Sequence, residues 1–96
     1  MLRRWRKLVP HWLSRGLDPD ACAYCLRPIG PGDRDVDHFQ PVKLDGPDHP
    51  DNLIPACPDC NRGQGGKFHT PPFEWLAAYH PERVDFFRAL FPKETA

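Results

Sequence analysis

Two pairs of cysteines constrain this chain more than any other feature of its sequence. Cys22 and Cys25 form one C-x2-C pair, Cys57 and Cys60 form the other, and 31 residues separate the two pairs. Two residues between cysteines let both sulfurs reach one zinc ion, and two such pairs complete a tetrahedral site. The separation exceeds the ~15–20 residues of the common zinc pattern, which predicts an elaborated loop between the pairs. Two disulfides or four buried thiols are the alternative interpretation.

The composition favours a fold that depends on such a site. Thirteen prolines and seven glycines among 96 residues confine regular structure to short pieces. A chain of this size buries a limited core, whereas zinc ligation supplies ~10–16 kcal/mol of apparent folding free energy. Four thiolates leave no open coordination position, so the predicted zinc is structural. Neither a secretion signal nor a transmembrane stretch is recognisable, which disfavours disulfides and predicts a cytoplasmic protein.

The segment between the cysteine pairs predicts a strand, a loop, a second strand and a short helix. Val36, Phe39 and Val42 suggest a short extended piece that Pro41 ends, and residues 43–51 carry turn signals throughout. The second strand is expected at residues 52–56. Pro58 suits the first position of a helix, which the following glycines limit to about two turns.

Polar residues recur at fixed places in this unit. Asp37 and His38 lie in the first strand, Asn52 begins the second, and Asn61 directly follows the last cysteine. The strings C-x2-C, V-D-H-F-x-P-V and D-N-L-I-P-A-C-P-D-C-N-R-G, taken in this order, resemble the HNH endonucleases. The resemblance covers about residues 22–66. It implies a small α+β fold with a zinc-stabilised ββα-metal core and short flanking helices.

The resemblance also implies a role for each polar residue. Asp37 and Asn61 are expected to hold one divalent cation, Mg²⁺ or Mn²⁺, because hard cations prefer oxygen ligands. His38 is expected to act as the general base toward an attacking water, since an imidazole is mostly neutral at pH 7. Asn52 is expected to orient this histidine and its loop. Consecutive strand residues point to opposite faces, so Asp37 and His38 share a site only where the strand ends or bulges.

Two positions depart from the family pattern. Many members carry His where this chain has Asn61, and many carry Lys where it has Gln64. Asn keeps an oxygen donor but removes a nitrogen ligand, which shifts the preference toward hard cations. Arg62 and Lys67 are the alternatives for the cation that contacts the scissile phosphate. In the interpretation without catalysis, His38 only hydrogen-bonds a carbonyl and Asn61 only begins a helix.

The N-terminal basic segment, residues 1–16, offers a surface for nucleic acid. It has no acidic residue, and its cations are Arg3, Arg4, Arg6, Lys7 and Arg15. Its apolar residues also share helical spacing and favour packing on the core, namely Leu2, Trp5, Val9, Trp12 and Leu13. Pro10 is expected to divide the segment into two short turns, and Gly16 to end it. The two roles are compatible on opposite faces.

The C-terminal segment predicts two helices at about residues 71–91. Thr70 is the candidate N-cap of the first helix, and the second is expected at residues 82–91. Aromatic residues at helical spacing favour packing over the zinc module rather than ligand contact. Because the sequence shows no linker long enough to separate two domains, residues 1–96 are expected to form a single domain whose core spans about residues 20–68.

Two functional hypotheses follow. The first is a metal-dependent endonuclease that hydrolyses phosphodiester bonds of double-stranded DNA. The second is a zinc-stabilised adaptor that binds nucleic acid or protein without catalysis. The set of Asp37, His38, Asn52 and Asn61 favours the first, because a purely structural zinc module has no need of it. The net charge of zero does not exclude DNA as a substrate, because it is the sum of a basic N-terminal segment and an acidic segment at residues 17–51. No membrane partner is expected, and a homodimer or a larger phage, restriction or repair assembly stays open.

Overall fold

The computed structural model describes residues 2–95, with side chains for residues 4–93. Within that range, a two-stranded antiparallel sheet and four α-helices form the α+β fold that the sequence predicts. The elements are α1 (Leu2–Ser14), β1 (Asp35–His38), β2 (Leu53–Ala56), α2 (Pro58–Arg62), α3 (Pro72–Tyr79) and α4 (Val84–Leu90). Short 3-10 turns lie at Val42–Leu44, Pro50–Asn52, Pro81–Arg83 and Pro92–Thr95. The order β1, β2, α2 confirms the ββα core.

Helix α1 is continuous, so the prediction that Pro10 divides it is wrong. Proline has no N–H, and the carbonyl of Arg6 therefore loses its helical partner. Arg6 lies on the exposed side of the helix, where water can replace that partner. Trp5, Leu8 and Trp12 bury the opposite side. Burial of three large side chains offsets the cost of one missing hydrogen bond.

The end of α1 agrees with the prediction for Gly16. This residue has a φ of +78°, and its N–H donates to the carbonyl of Leu13 at 3.2 Å. The N–H of Leu17 donates to the carbonyl of Trp12 at 2.9 Å. The two bonds form a Schellman motif, which ends a helix at a glycine. Leu13, predicted to pack on the core, is instead 59% exposed, since it lies about 100° around the helix from Trp12.

Strands β1 and β2 pair in continuous register, from Asp35 opposite Ala56 to His38 opposite Leu53. Strand alternation buries Asp35 and Asp37 on one face of β1, whereas His38 remains partly exposed on the other. The pairing of the two strands ends at His38. This agrees with the prediction that Asp37 and His38 can share a site only where the strand ends or bulges.

Three details of the central unit differ from the prediction. Asn52 belongs to the 3-10 turn before β2, not to the strand. Val42 lies in another 3-10 turn rather than in an extended piece. Helix α2 begins at the predicted proline but has only five residues, because it ends at Gly63. The Sγ of Cys57 accepts the N–H of Cys60 and caps the start of this helix.

Helices α3 and α4 confirm the two predicted C-terminal helices, with changes at their starts. Thr70 does not cap α3, because Pro71 precedes a second proline and is held in an extended conformation at the N-cap position. The second helix starts as the 3-10 turn Pro81–Arg83 and becomes α-helical at Val84.

One hydrophobic cluster joins both flanks to the central unit. Phe39, directly after β1, stacks on Phe91 and Phe87 with ring centroids 4.1 and 5.0 Å apart. From the N-terminal flank, the fully buried Trp12 donates its Nε1–H to the carbonyl of Leu53 at 2.8 Å. Trp12, Phe87 and Phe91 are therefore core residues, as their helical spacing predicts, whereas Tyr79 on α3 is 57% exposed.

In the part of the chain that the structure describes, no helix is both long and apolar enough to cross a membrane. The helix α1, at 13 residues, is far shorter than the ~20 residues that such a span needs.

Replacing Trp12 by Phe is expected to lower the free energy of unfolding by about 1–3 kcal/mol, because the carbonyl of Leu53 loses its buried donor. Chemical denaturation in the presence of zinc measures this change. Leu13→Ala, on the exposed side of the same helix, is the matched control and is expected to change stability by less than about 0.5 kcal/mol. Equal stability of Trp12→Phe and the unmutated chain would contradict the role of this hydrogen bond.

Candidate active site and cysteine cluster

The four cysteines of the two C-x2-C pairs meet in one cluster. Their Sγ atoms all lie within 4.8 Å of one another, and the sulfurs of Cys25 and Cys57 are 3.9 Å apart. None of the four is in a disulfide. Tetrahedral zinc with Zn–S bonds of ~2.3 Å separates its sulfurs by roughly 3.8 Å. The cluster therefore has the composition and the spacing of a four-cysteine zinc site.

Three thiols of this cluster, those of Cys22, Cys25 and Cys60, affect one another's pKa. A hydrogen bond from Cys60 is the main reason that the pKa of Cys22 is lowered to about 4. Burial is the main reason that the pKa of Cys25 is raised to about 11. The same contact with Cys22 raises the pKa of Cys60. Ionisation of one thiol is therefore favoured, and ionisation of further thiols is opposed. A bound divalent metal ion would offset the repulsion between several thiolates.

A separate cleft of about 250 Å³ lies beside the end of β1. It brings together three residues of the predicted catalytic set, Asp37, His38 and Asn61. The rest of its lining consists of Val36, Pro41, Val42, Arg62, Phe68 and His69. Residues from a strand, a helix and two loops therefore converge on one small cavity, as the predicted site requires.

Asp35 orients the side chains that α2 contributes to the cleft. Its Oδ2 accepts Nδ2–H of Asn61 at 3.0 Å and Nε–H of Arg62 at 2.9 Å. Burial opposes the ionised form of Asp35, but the hydrogen bonds from Arg62 and Asn61 outweigh it and lower the pKa of this carboxyl. Because Nδ2 of Asn61 is engaged with Asp35, the carbonyl Oδ1 is its remaining ligand atom.

Asp37 is buried, and one of its oxygens is held by two donors. The hydroxyl of Tyr24 donates to Oδ2, and the Nζ of Lys67 lies 3.3 Å from the same atom. Burial raises the pKa of Asp37, while the nearby charge of Lys67 and the hydrogen bond from Tyr24 oppose that rise. Burial also raises the pKa of Tyr24 and lowers that of Lys67. Both partners bind Oδ2, which leaves Oδ1 of Asp37 for a ligand.

His38 is oriented by an exposed carboxylate from the loop between the strands. Its Nε2 lies 2.9 Å from Oδ1 of Asp48, and the guanidinium of Arg4 donates to that same oxygen. The hydrogen bond from His38, followed by that from Arg4, lowers the pKa of Asp48. Helix α1 therefore reaches the loop that holds the imidazole.

Asn52 lies outside the cleft and connects two backbone segments. Its Oδ1 accepts the N–H of Gln40 at 2.9 Å, and its Nδ2 donates to the carbonyls of Gln40 and Pro47 at 3.0 and 2.9 Å. These bonds tie the segment after His38 to the segment before Asp48. The side chain is buried, so it has no direct access to a substrate.

The residues predicted to contact nucleic acid fall into two groups. Arg4, Arg6 and Lys7 are exposed on α1, and Arg62 is exposed at the cleft, while the side chain of Arg3 lies outside the described residues. Lys67 is 0% exposed, and its Nζ donates to the carbonyls of His38 and Phe39 at 3.1 Å each. A phosphate cannot reach this ammonium. Its prediction as a DNA contact is therefore corrected to an internal, structural cation.

Sequence reasoning missed three residues that shape the site. Asp35 has a detectable signal, since a residue two positions before Asp37 shares its face of the strand. Tyr24 and Asp48 have no such signal. Tyr24 lies between the first two cysteines and Asp48 lies in the loop between the strands, and only the tertiary structure brings them to the site.

A larger cavity of about 530 Å³ is lined by Arg15, Asp51 and the start of the last 3-10 turn. It contains neither predicted cation ligand.

Comparison with protein families matches residues 22–67 to the family described as HNH endonuclease. No curated protein matches the chain, and no solved structure does. The matched segment begins at the first cysteine and ends at Lys67, so it contains the cysteine cluster, the sheet, α2 and Asp37, His38 and Asn61. Residues 22–67, just under half of the chain, therefore match the HNH endonuclease family.

Proposed function

We propose that this chain is a metal-dependent endonuclease that hydrolyses phosphodiester bonds of double-stranded DNA. The observation that carries the proposal is the cleft in which Asp37, His38 and Asn61 converge. Hydrolysis of a phosphodiester needs ligands for a cation and a base for the attacking water, and these three side chains offer both. The family match of residues 22–67 supports the same class of reaction.

Asp37 and Asn61 are the proposed ligands of a single catalytic Mg²⁺ or Mn²⁺. Asp35 engages the amide nitrogen of Asn61, and Lys67 engages one oxygen of Asp37, so each ligand is left with one oxygen. Oxygen donors suit hard cations. A cation bound there supplies charge stabilisation to the scissile phosphate and to the leaving oxygen.

His38 is the proposed general base. In the tautomer that donates Nε2–H to Asp48, Nδ1 keeps its lone pair and accepts a proton from the attacking water. Asp48 then holds the ring in place and stabilises the imidazolium. Asn52 supports this arrangement because its amide joins the backbone at Gln40 to that at Pro47.

The exposed side of α1 is the proposed contact with the DNA backbone. Arg4, Arg6 and Lys7 are exposed there, and Arg3 belongs to the same segment. Arg4 bonds Asp48 next to the cleft, so this side of the helix borders the catalytic residues. Arg62 adds a cation at the cleft itself. Binding through such contacts weakens as salt concentration rises.

The cysteine cluster is the proposed structural zinc site. Its four sulfurs leave no coordination position for a water or a substrate, so zinc takes no part in the hydrolysis. A reducing, cytoplasmic location keeps these thiols available for metal. Since the flanking helices share one hydrophobic cluster with the zinc module, we also propose that residues 1–96 form a single domain.

Removing one cysteine tests the structural zinc. Cys57→Ser is expected to abolish stable zinc binding and cooperative unfolding, because zinc ligation supplies ~10–16 kcal/mol of apparent folding free energy. Elemental analysis is expected to find about one zinc per chain before the substitution. Circular dichroism reports the fold, and Ala78→Ser on the exposed side of α3 is the control. A folded, zinc-free chain would refute the site.

Plasmid nicking tests the catalytic assignment. With Mg²⁺ or Mn²⁺ the unmutated chain is expected to nick supercoiled DNA, and His38→Ala is expected to lose at least ~100-fold in rate, the size of a general-base contribution. His49→Ala, an exposed histidine outside the cleft, is the control. Equal nicking rates for the unmutated chain and its His38→Ala variant would contradict the assignment of His38 as the general base. Absence of nicking with any divalent cation would favour the non-catalytic adaptor.

The contact between His38 and Asp48 gives a separate expectation. Asp48→Asn removes the charge that stabilises the imidazolium and is expected to slow single-turnover nicking by about 10-fold. This is far less than the ~10⁴-fold effect of a buried triad carboxylate, because Asp48 is exposed. Asp45→Asn in the same loop is the control. A faster Asp48→Asn variant would mean that Asp48 holds the ring in an unproductive orientation.

A further inference from the structure

Lys67 is completely buried, which is rare for lysine unless its charge is paired. Its Nζ donates to the carbonyls of His38 and Phe39 at 3.1 Å each and lies 3.3 Å from Oδ2 of Asp37. Three acceptors match the three donors of an ammonium. The side chain therefore commits its whole hydrogen-bonding capacity to the end of β1.

The backbone of Lys67 is anchored on α2, the helix that carries Asn61. The N–H of Lys67 donates to the carbonyl of Cys60 at 2.6 Å, and that of Phe68 donates to the carbonyl of Asn61 at 3.0 Å. Phe68 has a φ of +48°, in a left-handed region that bulky residues rarely adopt. This turn directs Lys67 inward and leaves Phe68 half-exposed. Lys67 thus connects the helix and the strand that form the cleft.

This connection bears on a geometric problem of β1. Alternation points the side chains of Asp37 and His38 to opposite faces of the strand, yet both residues line the cleft. Lys67 contacts the carboxylate of one, the carbonyl of the other and the carbonyl that follows. A single ammonium therefore restrains both residues relative to each other and to Asn61.

We propose that Lys67 is a positioning residue of the catalytic site. It occupies one oxygen of Asp37, so that the carboxylate presents the other to the cation, and it fixes the end of β1 so that His38 faces the same cleft. Lys67 contacts neither DNA nor the cation in this role. The inference rests on the proposed function and adds to it a side chain that acts from inside the protein.

Four variants separate positioning from stability. Lys67→Met keeps an unbranched apolar side chain that is one atom shorter and removes the ammonium. Lys67→Arg keeps the charge but replaces three tetrahedral donors with a planar fork. Lys43→Met removes an exposed lysine. Trp12→Phe destabilises the protein through a side chain that does not line the cleft.

Each variant is prepared as the full, zinc-loaded chain, and two quantities are measured. Mn²⁺ affinity is obtained from the electron paramagnetic resonance signal of free Mn²⁺, and single-turnover nicking is measured at saturating Mn²⁺. Lys67→Met is expected to weaken Mn²⁺ binding and to slow nicking by about 10-fold or more each, the size of a supporting-residue effect. Lys43→Met and Trp12→Phe are expected to keep both values. A folded Lys67→Met variant with unchanged affinity and rate would overturn the inference.

Lys67→Arg keeps the test decisive if Lys67→Met does not load zinc and fold. Nicking at least about 10-fold slower with normal zinc content supports positioning, whereas unchanged affinity and rate overturn it. The unmutated chain separates this inference from the proposed function. If that chain neither binds Mn²⁺ nor nicks, the proposed function fails and the inference fails with it. If it does both, only the Lys67 variants decide.

Discussion

The fold depends on four thiols from two distant segments meeting at one point. One pair precedes β1, and the other lies where β2 ends and α2 begins, so the cluster closes both ends of the segment that carries the cleft. A backbone hydrogen bond from Ala23 to the carbonyl of Pro55, at 2.9 Å, joins the two ends beside the sulfurs. The flanking helices then cover this frame, with Phe39 and Trp12 as their main points of contact. A chain with twenty prolines and glycines has few other ways to hold a two-stranded sheet in place.

Buried carboxylates organise the cleft. Asp35 bonds Asn61 and Arg62, and Asp37 bonds Tyr24 and Lys67, so each has one cationic and one neutral partner. Burying such charges is costly even when they are paired, and replacement by apolar side chains is often neutral or stabilising. In the proposed site they orient the cation ligands, because the pairings leave Oδ1 of Asn61 and Oδ1 of Asp37 without a protein partner among the described residues. The exposed Asp48 acts on the other side of β1, where it holds the ring of His38.

Features of the fold that depend on neighbouring residues could be predicted from the sequence. The spacing of the cysteines predicted their cluster, and the prolines and glycines predicted the order of strands and helices. Pro10 was misjudged because the burial of Trp5 and Trp12, a tertiary effect, outweighs a local rule against proline in helices. Lys67 was predicted as an alternative to Arg62 for the cation that contacts the scissile phosphate, whereas its burial is determined by an acceptor 30 positions away, at Asp37. No local signal marks such a partner, and the same holds for Asp48.

Anomalous scattering from Mn²⁺ in crystals of the full chain, with and without a DNA duplex, shows whether Asp37 and Asn61 bind one cation in the cleft. We expect one Mn²⁺ in the cleft, within coordination distance of Oδ1 of Asp37 and Oδ1 of Asn61, with Nδ1 of His38 facing the water beside the scissile phosphate. We also expect Asp35 to keep its hydrogen bond with Nδ2 of Asn61 when the cation is bound. Anomalous density elsewhere, or none in the cleft at Mn²⁺ concentrations that support nicking, would contradict the proposed site.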